Sequence, residues 1–156
     1  MSILKVDTIN EKTTGSGVHI PGHVIQTVDT VDSTELSTTS DSWTDTGSTI
    51  TITPKFATSK IHILVFEAAE VYGASNTGVG YRILKGATEV YNNDYDLYHS
   101  GSNDQRIDKK VLLHIESASD TSARTYTLQF RERGSGTARR NKYGGPSRMV
   151  IKEIAQ

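Results

Sequence analysis

The 156-residue chain contains no cysteine. That excludes disulfide scaffolds, thiolate zinc sites and thiol nucleophiles, and says little about compartment. No apolar run approaches the ~18 residues that a membrane-spanning helix requires. The opening MSILKVDTIN lacks a basic start followed by an apolar core, so no secretory signal peptide is expected. A formal net charge of −1 argues against a general nucleic-acid binder. No repeat recurs at solenoid or propeller periods. The sequence also holds no GxSxG, HExxH, P-loop or GxGxxG motif that would name a chemistry.

Thr, Ser and Gly are abundant instead, which favours strands and tight turns over helices. The length suits one domain with a short appendage, able to bury roughly 70% of its unfolded surface without a metal. Charge is uneven along the chain. Residues 1–78 carry four basic and nine acidic groups, net −5, while residues 79–156 carry thirteen and nine, net +4. In a single domain such asymmetry implies complementary surfaces, within the fold or between copies.

The organising stretch is KIHILVFEAAEV, residues 60–71. It is short, β-branched and aromatic, and fenced by Pro54 and Gly73, which predicts a central strand buried on both faces rather than a buried helix. Before it, VIQTV at 24–28 reads as a first strand, and TITIT at 49–53 alternates with Ile50 and Ile52 on one face. After it come YRILKG, a turn at Gly86 and Ala87, and TEVY at 88–91. KVLLHIE at 110–116 and RTYTLQFRER at 124–133 follow, the latter with Tyr126, Leu128 and Phe130 inward. SRMVIKEI at 147–154 closes the series. Residues 92–108 read as the longest polar loop, and 134–145 as a flexible basic loop. The expected fold is all-β: an antiparallel β-sandwich, jelly-roll-like, of about eight strands, with an extended N-terminal arm. The boundary falls at 22/23, with an arm over 1–22 and the sandwich over 23–156. Ile3, Leu4, Val6, Ile9, Val18 and Ile20 give the arm apolar side chains but too little area to offset its own ordering. It needs a partner, or it folds back on its own sheet as a frayed strand.

Few residues suggest chemistry. His19 and His23 flank Pro21-Gly22, which forbids a shared helical face, and two ordinary surface histidines outweigh a metal site on a symmetry axis. His62 and His114 fall within strands and are expected half-buried. Asp94, Asp96, Asp104 and Asp108 lack the spacing of a calcium loop. Arg131, Arg133, Arg139, Arg140, Lys142 and Arg148, with Tyr143, form a basic cluster. Single-strand nucleic-acid binding is one reading of it. A solvated loop, or a contact to the acidic 29–45 stretch of another copy, is the reading that the net charge favours. No metal and no cofactor is expected.

The opening LKVDTINEKTTGSGVHIPGHVIQ resembles the starts of tail-fibre and virion-surface proteins of tailed phages, marine and cyanobacterial ones above all. In those a similar segment precedes a small β domain. WTDTGSTITITP, SKIHILV, YRILKG, TYTLQFRERGSG and MVIKEIA follow in the order of that domain, so the resemblance covers nearly the whole chain through order rather than through any single motif. It implies a non-enzymatic virion structural protein, made in the host cytoplasm and assembled as a homotrimer. Ile3, Leu4, Val6, Ile9, Val18 and Ile20 would mediate assembly or attachment to other virion proteins. A host-surface glycan would be met by Asn92, Asp94, Tyr95, Tyr98, His99, Arg139, Arg140 and Tyr143, with no nucleic acid and no membrane insertion. The chain departs from typical fibres in lacking a long shaft, which leaves open a capsid decoration or adaptor protein with the same module. A stand-alone carbohydrate-binding module and a polysaccharide depolymerase are the readings from other classes.

Overall fold

The turn at Gly86 and Ala87 is the hub of the topology. Gly86, at φ 57, takes the left-handed backbone a tight turn needs. It joins β5 (Thr77–Lys85) to β6 (Thr88–His99). Outward from this turn the strands pair in nested order. β4 (Lys60–Gly73) pairs with β7 (Asp104–Ser117), β3 (Thr44–Ile52) with β8 (Arg124–Arg133), and β1 (Val24–Asp32) with β10 (Ser147–Ile154), all antiparallel. The computed structural model, which describes residues 8–10, 12, 18–73, 76–101 and 104–156, is therefore one long hairpin rolled up. Successive pairs fall alternately into two sheets, the jelly-roll arrangement.

Sheet A holds β1, β10, β4 and β7 in that spatial order, and sheet B holds β3, β8, β5 and β6. Two short strands extend sheet A beside the far half of β4: β9 (Thr137–Arg140) pairs with residues 69–72, and β2 (Leu36–Thr38) pairs with β9. Among the described residues, ten strands thus fill eight positions across two layers.

The core forms where the inward rows of the two sheets meet. Ile61, Ile63, Val65, Ala69 and Val71 of β4 face Tyr126, Leu128 and Phe130 of β8, with Val79, Tyr81 and Ile83 of β5 beside them. Ile50 and Ile52 lie on the same buried row of β3, as their alternation predicts. Met149 and Ile151 bring β10 into the same cluster.

Three expectations require correction. Residues 92–108 are not a loop: β6 runs to His99 and β7 starts at Asp104. Their Asn, Asp and Tyr content hides strand because the polar side chains find partners along their own strand and within their own sheet, as Asp96 does with Tyr91 and Asp94 with Arg131. Residues 134–145 likewise contain β9 and a single 3-10 turn, Lys142–Gly144. Finally, β4 lies at the centre of its sheet and is buried on both faces over residues 67–71, but on one face only over residues 60–66. Its outward row includes Phe66, which is 43% exposed.

Candidate functional site

Sequence and register together build one distinctive surface on the outer side of sheet B. The pairing of β5 with β6 shifts from Val79↔Leu97 to Tyr81↔Asn93, so residues 94–96 bulge opposite Gly80. A Cβ on Gly80 would lie 2.9 Å from the carbonyl oxygens of Asn93 and Asp94, and one on Gly78 would lie 2.9 Å from the Tyr95 ring. Glycine at both positions lets the bulge and the ring rest on the sheet. Asp96 pins the bulge from within. It accepts hydrogen bonds from the Tyr81 backbone N–H, the Tyr91 hydroxyl and the Asn93 amide, each at 3.1 Å. Burial raises the Asp96 carboxyl to about 6 and the Tyr91 hydroxyl to about 12.

The bulge sends Tyr95 outward beside Tyr98. The rings meet edge to face with centroids 5.5 Å apart, remain 51% and 38% exposed, and line a shallow open groove of about 330 Å³. The Tyr98 hydroxyl donates to Asn76 Oδ1 at 2.7 Å, which holds that ring in place. Next to the tyrosines, Asp94 is ion-paired and hydrogen-bonded to Arg131, and lies 3.6 Å from Arg133 Nη2. Arg133 Nη1 donates to Asp41 at 2.6 Å, and that bond holds the Asp41 carboxyl below its usual range. Trp43 receives two guanidinium groups on its ring, Arg131 at 4.2 Å and Arg82 at 4.7 Å from the centroid. Arg133 stands 5.7 Å from the Tyr95 centroid.

Both carboxylates at its rim are committed to arginines, Asp94 to Arg131 and Asp41 to Arg133. Exposed tyrosine rings beside ordered charged groups suit a flat, hydroxyl-rich ligand whose C–H face stacks on the ring. Among the described residues, no cluster of three or more His, Asp or Glu could hold a metal ion. Asp94 is committed to Arg131 and Asp108 to Lys110, at 2.7 Å in the second pair; the side chain of Asp104 lies outside the described residues. His19 packs edge-on against Phe56 at 4.9 Å, and His62 and His114 are half-buried on β4 and β7.

The structure brings together Asp94, Tyr95 and Tyr98 from the expected contact set. Asn92 is exposed on the same strand, with its amide donating to Glu89 at 3.0 Å, and His99 is half-buried at the strand's end. The remaining three lie elsewhere. Arg139 and Tyr143 belong to the sheet A side, where Arg139 pairs with Glu70 at 2.9 Å and stacks over Tyr72. Gln105 donates to the Tyr143 hydroxyl at 3.3 Å. Arg140 must be removed from any contact surface, because it is fully buried. Its Nη2 bonds Glu67 at 2.9 Å, and its Nη1 bonds Asp32 at 2.6 Å and the Thr46 carbonyl at 2.7 Å. In an interior site every polar arm of the guanidinium needs a partner, and these carboxylates provide them.

Of the arm residues, Ile3, Leu4 and Val6 lie outside the described residues. Ile9 is 56% exposed, and Val18 and Ile20 are half-buried. Sequence reasoning grouped Trp43 with the tyrosines as a possible sugar platform, and missed Asp41, Arg131 and Arg133 as companions of Tyr95. The outward alternation of β8 was the available signal for the two arginines. The β3–β8–β5–β6 order that carries Trp43 towards the bulge leaves no local trace.

No protein-family model matches the chain, and no curated protein matches it. Among solved structures it is similar to the VP2 protein of infectious bursal disease virus. Derived T=1 particles of a VP2 mutant give a TM-score of 0.41 at 12% identity, covering 97% of this chain and 41% of that one. A VP2 subviral particle gives 0.38 at 12%, covering 84% and 37%, and the Gt strain of the virus gives 0.38 at 14%, covering 98% and 43%. The chain therefore spans about two fifths of the length of these proteins. Superpositions this loose carry no argument about what the chain does.

Proposed function

We propose that this chain is a non-enzymatic structural subunit of a virus particle: a homotrimeric, tail-fibre-like knob held by its N-terminal arm. It contacts host-surface glycan through the outer face of sheet B. The observation that carries the reading is the exposed Tyr95–Tyr98 pair, seated on a glycine-backed bulge and flanked by charge-paired Asp94, Arg133 and Asp41. A rigid strand holds the rings, so little side-chain freedom is lost on binding. The ordered resemblance of the chain to phage surface proteins supplies the particle context. One such groove is shallow and binds weakly. Three linked copies multiply its effective concentration, which is what attachment to a repetitive surface requires.

The test is binding of the full chain to an array of host-surface and reference glycans, and to whole host cells. Tyr95→Ala and Tyr98→Ala should each weaken binding roughly tenfold, an amount in line with the loss of one stacked ring, and leave the melting temperature nearly unchanged. Retained binding in the double variant would remove the host-contact role.

The same tyrosine surface suits a stand-alone carbohydrate-binding module. That reading requires a monomer whose glycan affinity survives deletion of residues 1–22, whereas the particle reading requires a trimer that weakens on the same deletion. A capsid decoration or adaptor protein would keep the trimer but bind the capsid in place of host cells.

A further inference from the structure

Two glutamates of β4 are buried, and the chain treats them differently. Glu67 points inward, where both of its oxygens bond the Arg140 guanidinium. Glu70 points outward, yet its side chain is as fully buried. Its Oε1 accepts from Arg139 Nη1 at 2.9 Å and from the Gln105 amide at 2.8 Å. Its Oε2 has no hydrogen-bond partner among the described residues. A buried carboxylate oxygen without a donor is costly, and folded proteins seldom leave one unmet.

The cover over Glu70 is built from surface residues. Residues 141–145 fold back over the outer face of sheet A. The Asn141 N–H donates to the Ala68 carbonyl at 2.9 Å, and a Cβ on Gly145 would lie 3.1 Å from that of Ala68. Left-handed backbone at Asn141, Tyr143 and Gly144 makes this return. It sets Tyr143 beside Gln105, whose amide reaches both the Tyr143 hydroxyl, at 3.3 Å, and the Glu70 carboxylate. Tyr143 is 74% exposed. The Tyr72 ring, with the Arg139 guanidinium 4.7 Å over its centroid, holds that guanidinium at the same spot.

The charges around the unmet oxygen select its ligand. They are largely paired off, Glu70 with Arg139 and Lys142 with Glu35, so no strong field draws an ion. An ammonium group would face Arg139 and also Lys109, whose Nζ lies 3.8 Å from where a Gly145 Cβ would stand. A carboxylate would face the unmet oxygen itself. A neutral ligand with adjacent hydroxyls meets neither obstacle. One hydroxyl donates to Glu70 Oε2, its neighbour accepts from the Arg139 guanidinium, and an apolar C–H face rests on the Tyr143 ring.

We propose that Glu70, Arg139 and Tyr143 form a second carbohydrate site, for a neutral sugar, on the outer face of sheet A. The oxygen is covered in the free chain, so Tyr143 moves off its long bond from Gln105 as the sugar hydroxyl enters. The site shares no residue with the groove of Tyr95 and Tyr98. It therefore goes beyond the host contact proposed above, and either site can fail alone.

Titration of the full nitrogen-15-labelled chain with galactose, glucose, mannose and N-acetylglucosamine, followed by NMR, tests it. With at least one of these sugars the Gln105 side-chain amide and the backbone amides of Glu70, Arg139 and Tyr143 should shift saturably. Glu70→Gln keeps the shape but replaces the accepting oxygen by a donor, and should weaken that binding about tenfold. Tyr143→Ala should weaken it by a similar factor. Its side chain is exposed, so it decides the matter should Glu70→Gln fail to fold. Tyr95→Ala should leave these shifts unchanged. No saturable shift with any of the sugars overturns the proposal and assigns the unmet oxygen to water. So do shifts that persist undiminished in both variants, or a preference for methylammonium or acetate over every sugar.

Discussion

The outer faces of the two sheets are built on opposite plans. On sheet B the outward row is closed by its own cross-strand bonds. Thr51 meets Thr125 at 2.7 Å, Thr49 meets Thr127 at 3.3 Å, Gln129 donates to Asp45 at 2.8 Å, and Arg82 donates to Gln129 at 2.7 Å. Each pair is satisfied within the layer and tolerates water beside it. On sheet A the outward row offers Leu64, Phe66, Val111, Leu113 and Ile115, which have nothing polar to exchange with a neighbour. One face is complete in a single copy, and the other has the composition of an interior without the second layer. The contrast teaches that a β-sandwich can declare its free side by the strand whose apolar residues point the wrong way.

The largest expected effect comes from two arginines, each set between two carboxylates on different sides of this divide. Arg140→Ala would leave Glu67 buried without its counter-charge and should cost about 3–5 kcal/mol in urea denaturation. Arg133→Ala, on the wet face of sheet B, should move the urea midpoint far less, because its ion pairs are screened by solvent. Equal losses would mean that the interior and the outer face are not electrostatically distinct.

A smaller contrast stays on β4. Ile63→Ala empties a core site and should cost about 2–5 kcal/mol. Phe66→Ala, three residues on and facing outward, should cost the dilute chain less than about 1 kcal/mol. If Phe66→Ala proves as damaging as Ile63→Ala in dilute protein, the chain covers its own sheet A face and the comparison breaks.

The smallest effect is a slope with pH. Folded Asp96 holds its proton up to about 6, whereas its ordinary value is 3.8, so the folded state binds more protons within that window. Its contribution to stability therefore falls as pH rises from about 4 to about 6. Asp96→Asn should flatten that decline in urea midpoints measured across the window. An unchanged slope would show that Asp96 is not the group that anchors the bulge in a dry setting.

Much of the layout was legible from alternation alone. Tyr126, Leu128 and Phe130 face inward as their spacing predicts, and so do Ile50 and Ile52. The strand at residues 60–71 is central in its sheet. The double burial inferred from its unbroken run is met over residues 67–71 and on one side only over residues 60–66. What composition concealed was the extent of β6 and β7, residues 92–99 and 104–109. Asn, Asp and Tyr usually mark loops, yet here they are held in strand by Asp96 bonding to Tyr91 and Tyr81 and by Asp94 pairing with Arg131. Tertiary partners override local preference at such sites. Arg140 was read with its basic neighbours because Glu67, its partner, stands 73 residues away.

Period-two alternation and turn residues are local properties, so the sequence by itself determined where most strands run, the position of the Gly86 turn and the inward rows of β3 and β8. Register and layer are non-local. Only the folded chain decided that Trp43 and Asp41 meet the arginines beside the bulge of β6, that Arg140 lies inside, and that β7 turns its apolar row away from its own core. Those outcomes depend on which distant backbone each strand bonds to, and one residue of slip reverses every side chain on it.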